Sequence, residues 1–158
     1  CLRICAMGAP EIFMKLCGEK TYSIDFSNVV PVVENSKRNG YIEFFGTEVI
    51  TTPNGSTLTI TCNKEELPSS GVQIKGDGIS ITIDEVNQKM LINGAEEDIK
   101  LPFQSEMTGD VVDYILQNGD CALTTYQESA ALHKTYLAGL LDIYNKATGE
   151  QHDSCPIT

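Results

Sequence analysis

Residues 40–101 read as a run of strands, and the clearest of these alternate in polarity with a period of two. Leu58, Ile60 and Cys62 fall on one side and Thr57, Thr59 and Thr61 on the other, the pattern of a β-strand with one face packed and one face polar. Successive runs, "YIEFFGTEVI", "STLTITC", "VQIK", "ISITID", "MLING" and "DIKL", are each bounded by Gly, Asp or Asn, which predicts an antiparallel meander. Asn54-Gly55, between the first two runs, is a strong short-range hairpin signal. The segment "NKEELPSSG" reads as a longer loop.

The glycines of "IKGDGISITID" raise one alternative, a phosphate-binding turn. A dinucleotide fingerprint needs a strand, G-x-G-x-x-G and then a helix whose N-terminus faces the pyrophosphate. Here the third glycine position holds Ile81, and Ile79, Ile81 and Ile83 alternate with Ser80, Thr82 and Asp84. The turn therefore leads into a strand and is of hairpin type.

Helical periods flank the strands. "GAPEIFMKLCGEK" predicts a short helix with Pro10 in its first turn, Ile12, Phe13, Leu16 and Cys17 on its apolar side, and Gly18 ending it. "TYSIDF" predicts a strand, followed by a polar loop from Ser27 to Asn39. Beyond Pro102, Met107, Val111, Tyr114 and Ile115 share one side of a helix, with Glu106, Asp110, Asp113 and Gln117 on another; Gly119 marks its exit. A longer helix opens with the candidate capping box Thr125-x-x-Glu128, and Leu132, Tyr136, Leu137, Leu140, Leu141 and Tyr144 give it an apolar side buried along most of its length. The expected class is α+β, a mostly antiparallel open sheet with helices packed on one face. Residues 1–146 read as a single domain and residues 147–158 as an irregular tail.

At 158 residues the chain is long enough for one substantial core. Its 22 acidic against 11 basic residues give a net charge of −11 with no lysine–arginine cluster, which disfavours nucleic acid and anionic membrane as partners. Six cysteines without a C-x-x-C spacing suit a reducing, cytoplasmic compartment. No apolar run is long enough to span a membrane, and an opening at "CLRICAMGAP" suggests a fragment.

The stretch "IEFFGTEV", the turn "IKGDGISITID", and the helix pair reached through "LPFQSEMTGDVVDYILQNG" and "LTTYQESAALHKTYLAGLLDIYNK" together resemble the C-terminal domain of the glucose-fructose oxidoreductase, inositol dehydrogenase and MocA family, over roughly residues 9–146. The resemblance implies an α+β domain that supplies part of the substrate site and an oligomer interface. It also implies NAD or NADP bound by a Rossmann domain elsewhere in the full-length protein, with none bound by this chain alone, and a sugar, sugar phosphate or nucleotide sugar as substrate. In that family a helix near the start of this domain typically carries a histidine with an acid close by. Here Glu11 stands at the acidic position and Gly8 or Ala9 where the histidine would be, so no catalytic residue is assigned. The contrasting expectation is a non-enzymatic α+β binding or assembly module that uses its open sheet face.

The candidate substrate-binding residues are Glu11, Lys15 and His133. Glu11 and Lys15 lie four apart on one helix, which makes them either a substrate-handling pair or an ordinary surface pair. His133 sits near the apolar side of the long helix, as an acid–base group or as a half-buried residue with one hydrogen bond. Thr57, Thr59, Thr61, Ser80 and Thr82 would cover one side of the sheet with short, weakly polar side chains, suited either to solvent or to a homo-oligomer contact. His133 and His152 are nineteen positions apart and no cysteine spacing fits zinc, so no metal is expected.

Overall fold

The structure is a computed structural model that describes residues 4–32, 39–62, 71–84, 86–100, 102, 104–121 and 123–157. Its elements are α1 (Ile4–Cys17), β1 (Ser23–Val32), β2 (Glu43–Thr51), β3 (Thr57–Cys62), β4 (Gly71–Gly76), β5 (Ile79–Asp84), β6 (Lys89–Ile92), β7 (Ala95–Glu97), α2 (Gln104–Asn118) and α3 (Tyr126–Thr148). All strand pairs are antiparallel, so the fold is α+β. The chain divides into two compact units, residues 1–65 with 124–158, and residues 66–123.

In place of one meander over residues 40–101 there are two sheets, β1-β2-β3 in the first unit and β4-β5-β6-β7 in the second. Alternation identifies strands but not their partners; pairing follows the turns, and the hairpins at Asn54-Gly55 and Asp77-Gly78 belong to different sheets. The last strand is Ala95–Glu97, with Asp98, Ile99 and Lys100 outside it, so the strand expected over "DIKL" is displaced toward the Asn93-Gly94 turn. Both of those turn residues have positive φ, the geometry of a tight two-residue hairpin. Most of "NKEELPSSG" lies outside the described residues.

The first unit is organised around β2. Phe44 and Ile50 are fully buried on one face, paired through the ladder with the faces of β1 and β3. β1 runs six residues further than "TYSIDF", through Val32, where a polar loop from Ser27 to Asn39 was expected. A bulge makes this possible: Asp25 pairs with Val49 and Asn28 with Thr47, so Phe26 and Ser27 both stand opposite Glu48. The extra residue changes the parity, which keeps Ile24 and Phe26 before it, and Val29 after it, on the core side. Asp25 accepts the Ser27 N–H at 2.8 Å, and that bond holds the exposed Asp25 carboxyl below its ordinary pKa. Pro31 is tolerated because β1 is an edge strand.

α3 packs on β1, and α1 on α3 and β3. Tyr136 and Leu140, one turn apart, join Val29, Ile42 and Phe44 in the core, and Phe26 meets the Tyr136 ring edge-on at 5.6 Å and 72°. Gly139 makes room for that ring, since a Cβ there would sit 2.2 Å from Phe26 Cε2. The α3 N-terminus carries the full capping box: Thr125 Oγ1 accepts the Glu128 N–H, and the Glu128 carboxylate accepts the Thr125 N–H. Burial along α3 is narrower than expected. Only Tyr136 and Leu140 are fully buried and Leu137 is exposed, because one sheet covers only one stripe of a helix.

Two further expectations are corrected in this unit. α1 begins at Ile4, so Pro10 lies inside the helix and is fully buried. Its buried stripe passes through Pro10 and Met14, while Ile12 and Leu16 are each 64% exposed; the apolar side was placed one position out of phase. The tail is irregular as expected, but only from Gly149 onward, and it packs against the fold. Ala147 and Thr148 complete α3, Gly149 ends it in the left-handed conformation, Ile42 N–H donates to Pro156 O at 2.8 Å, and Cys155 and Ile157 pack on the core.

In the second unit the register puts Val72, Ile74, Ile79, Ile81, Ile83, Met90 and Ile92 on one face, with Gln73, Lys75, Ser80 and Thr82 on the other. α2 ends where expected, Gly119 donating its N–H to Ile115 O at 2.8 Å, but Met107, Tyr114 and Ile115 on its apolar side are exposed. Among the described residues no helix is long and apolar enough to cross a membrane.

Candidate functional site between α1 and α3

Three polar side chains converge where α1 crosses α3. Ser129 and His133 are four residues apart on α3 and therefore share a face. Ser129 Oγ donates to Glu11 Oε1 of α1 and lies 3.1 Å from His133 Nδ1, which is itself 3.7 Å from Glu11 Oε1. Glu11 and His133 are each little more than a fifth exposed, shielded enough for their electrostatics to exceed those of a surface pair.

Beside this cluster is a cavity of about 530 Å³, lined by Glu11, Met14, Lys15, Lys20, Glu128 and Leu132 among others. Its size falls within the range of small-molecule sites, roughly 300–1,000 Å³. Met14 and Leu132 give it an apolar wall, Glu11 and Glu128 supply acceptors, and Lys15 and Lys20 supply donors. The Glu128 carboxyl is held below its ordinary pKa chiefly by the Thr125 hydroxyl and N–H, with help from the nearby charges of Lys15 and Lys20.

Of the residues singled out from sequence, Glu11 and Lys15 line this cavity, and Glu11 is brought to His133 through Ser129. Ser129 is not among the residues expected from sequence. Its i,i+4 spacing to His133 was visible in the sequence, but the approach of Glu11 from another helix was not. The hydroxyl residues expected to share one sheet face are divided: Thr57, Thr59 and Thr61 are exposed on β3 of the first unit, with Thr61 Oγ1 3.1 Å from Thr47 Oγ1, whereas Ser80 and Thr82 are half-buried on β5 of the second. His152 stacks on Tyr144 at 4.7 Å.

A second polar group lies in the core. Glu48 is 0% exposed, accepts the Tyr136 hydroxyl at 2.6 Å through Oε1, and among the described residues has no hydrogen-bond partner for Oε2. Burial raises its pKa from 4.5 to about 7, against the opposing effect of the Tyr136 hydrogen bond. Tyr22, whose hydroxyl donates to Leu132 O at 2.7 Å, is pushed up to about 12 by burial and by Glu48, and the Tyr136 hydroxyl is also pushed up, by burial first and then by Glu48. Glu48 was legible in principle: it shares strand parity with Phe44 and Ile50, and so had to fall on the apolar face.

The glycine pair of "IKGDGISITID" forms a hairpin, as expected. Gly76-Asp77-Gly78 closes the β4–β5 hairpin, with Gly78 at φ +75°, and leads into a strand rather than a helix N-terminus. Among the described residues no group of three or more His, Cys, Asp or Glu side chains is placed to hold a metal ion. Cys17, Cys62, Cys121 and Cys155 are unbridged, and burial pushes the Cys155 thiol up to about 11, which makes it a poor nucleophile at neutral pH. Comparison with protein-family models, with curated proteins and with solved structures gives no match to this chain.

Proposed function

We propose that this chain is the substrate-binding domain of a cytosolic NAD(P)-dependent oxidoreductase that acts on a hydroxyl-bearing compound of the sugar, sugar phosphate or nucleotide-sugar type, its cofactor held by another domain. The observation that carries the reading is the Glu11–Ser129–His133 cluster at a cavity of small-molecule size. A carboxylate accepts a hydrogen bond from a ligand hydroxyl and can take its proton, and Lys15 and Lys20 offer donors to other ligand oxygens. The resemblance to the oxidoreductase family leaves α1 without a histidine next to its acid. In this fold α3 brings one to Glu11 from a distant part of the sequence, which supports an acid–base role despite that departure.

The reading predicts that the 158-residue chain alone turns over no sugar with NAD(P), and that the natural polypeptide containing it also carries a dinucleotide-binding domain. In that polypeptide, Glu11→Gln should lower kcat by about 10²- to 10⁴-fold, the usual contribution of a positioned acid or base. Steady-state assay of NAD(P) reduction across the three substrate types measures it. A natural polypeptide without such a domain, or an unchanged kcat in the variant, would remove the proposal.

A further inference from the structure

The cavity between α1 and α3 has the parts of an anion site, and the chain answers them with a carboxylate of its own. Lys15 and Lys20 line it, as does the first turn of α3, whose N–H groups are of the kind that receive phosphate. Glu128 meets both. Its carboxylate accepts the Thr125 N–H at 3.1 Å and the Thr125 hydroxyl at 2.8 Å, while its own N–H donates to Thr125 Oγ1 at 3.3 Å. These bonds hold the carboxylate at the cavity wall, within electrostatic reach of both lysines. Glu11 and Glu19 also line the cavity, so among the described residues its wall carries three carboxylates against two ammonium groups. A phosphate ester would bring about two further negative charges to a wall that is already net negative.

We propose that Glu128 is a specificity-determining residue, a resident anion that excludes phosphoryl groups from this cavity and selects a neutral, hydroxyl-bearing sugar over a sugar phosphate or nucleotide sugar. The inference deepens the reading above and rests on it for the ligand being a sugar, though not for the exclusion of anions. A neutral polyol loses nothing from the arrangement. Its hydroxyls donate to the carboxylates and accept from the lysines, since each O–H serves as donor and acceptor at once. A phosphoryl group has two ways in, and both weaken it. It displaces the Glu128 carboxylate from the Thr125 N–H and so uncaps α3, or it sits beside that carboxylate at like charge. Glu128 is solvent-exposed, so the exclusion is strongest at low ionic strength and fades as salt is added.

The test uses inorganic phosphate as the probe, titrated into the full 158-residue chain at neutral pH and low ionic strength, with the amide resonances of Lys20 and Leu132 as the readout. Glu128→Gln removes the charge but keeps the capping box, in which glutamine serves as well as glutamate, so α3 retains its start. The variant should bind phosphate about tenfold or more tighter than the wild type. Added salt should erase the gain, and Lys20→Ala in the same background should abolish it. Equal phosphate affinity in wild type and Glu128→Gln, or a gain that survives Lys20→Ala, would overturn the proposal. So would a wild-type chain that binds a sugar phosphate more tightly than the matching neutral sugar. If phosphate behaves as expected but no neutral sugar perturbs the cavity, the oxidoreductase reading falls while the exclusion of anions stands, so the two fail separately.

Discussion

Between pH 4.5 and pH 7 the first unit is expected to lose about 3 kcal/mol of unfolding free energy through Glu48 alone. In the unfolded chain this carboxyl ionises near its ordinary 4.5, whereas in the fold it ionises at about 7. The folded state therefore holds a proton that the unfolded state has released, and stability falls as pH rises through that window. Below 4.5 both states are protonated and the contribution is fully present; above 7 both are ionised and the loss is complete. The cause is structural: Glu48 is wholly buried, one oxygen accepts the Tyr136 hydroxyl, and the other has no partner among the described residues. Glu48→Gln keeps an acceptor for Tyr136 and carries no charge, so its stability should be nearly flat over the window and exceed the wild type at pH 8. Urea unfolding at several pH values, wild type against variant, measures the difference. The lowered carboxyls Asp25 and Glu128 contribute in the opposite sense, their stabilisation present at neutral pH and lost only as pH falls below the ordinary carboxylate range.

Gly46→Ala should cost roughly 2–4 kcal/mol, from a strained backbone and from overpacking together. Gly46 sits at φ +116° in the middle of β2, and a Cβ there would lie 1.9 Å from Asn28 O and 3.1 Å from Val29 Cα. Those neighbours are backbone in the paired strand just past the β1 bulge, so they cannot swing aside as a side-chain tip would. Relief requires breaking the β1–β2 ladder next to the core residues Val29 and Phe44. The measurement is the denaturation midpoint at unchanged slope, with Gly55→Ala as the contrast: Gly55 also has positive φ, but nothing lies within 4 Å of its added carbon, so it reports backbone strain without the collision.

The parts of this fold that follow local rules were visible in the sequence. Alternation located β3 and β5, bounding Gly, Asp and Asn residues located the runs around them, Asn54-Gly55 and Asp77-Gly78 located two hairpins, and Thr125 with Glu128 located the start of α3. What local rules could not supply was partnership. The β1 bulge hides the second half of its strand, because an extra residue breaks the alternation that would reveal it. The phase of α1 depended on which side met α3, and a proline read as a helix start is instead tolerated inside it. Division into two sheets depends on long-range hydrogen bonding with no signature in residue type. The candidate site shows the same limit. Glu11, Lys15 and His133 could be chosen one by one for their chemistry, but the serine that joins Glu11 to His133 acquires its meaning only when residues 118 positions apart come together.

The most direct test of the functional account is a titration of the isotope-labelled 158-residue chain with a neutral sugar, a sugar phosphate and a nucleotide sugar, followed by amide NMR. At least one of the three should move resonances of Glu11, Lys15 and Leu132 together, and Glu11→Gln should weaken that binding by about tenfold or more, the loss expected for a charge-assisted hydrogen bond of roughly 1.5–3 kcal/mol. If none of the three perturbs this cavity, or if binding there is indifferent to Glu11→Gln, the site between α1 and α3 does not handle hydroxyl-bearing substrates and the account is contradicted.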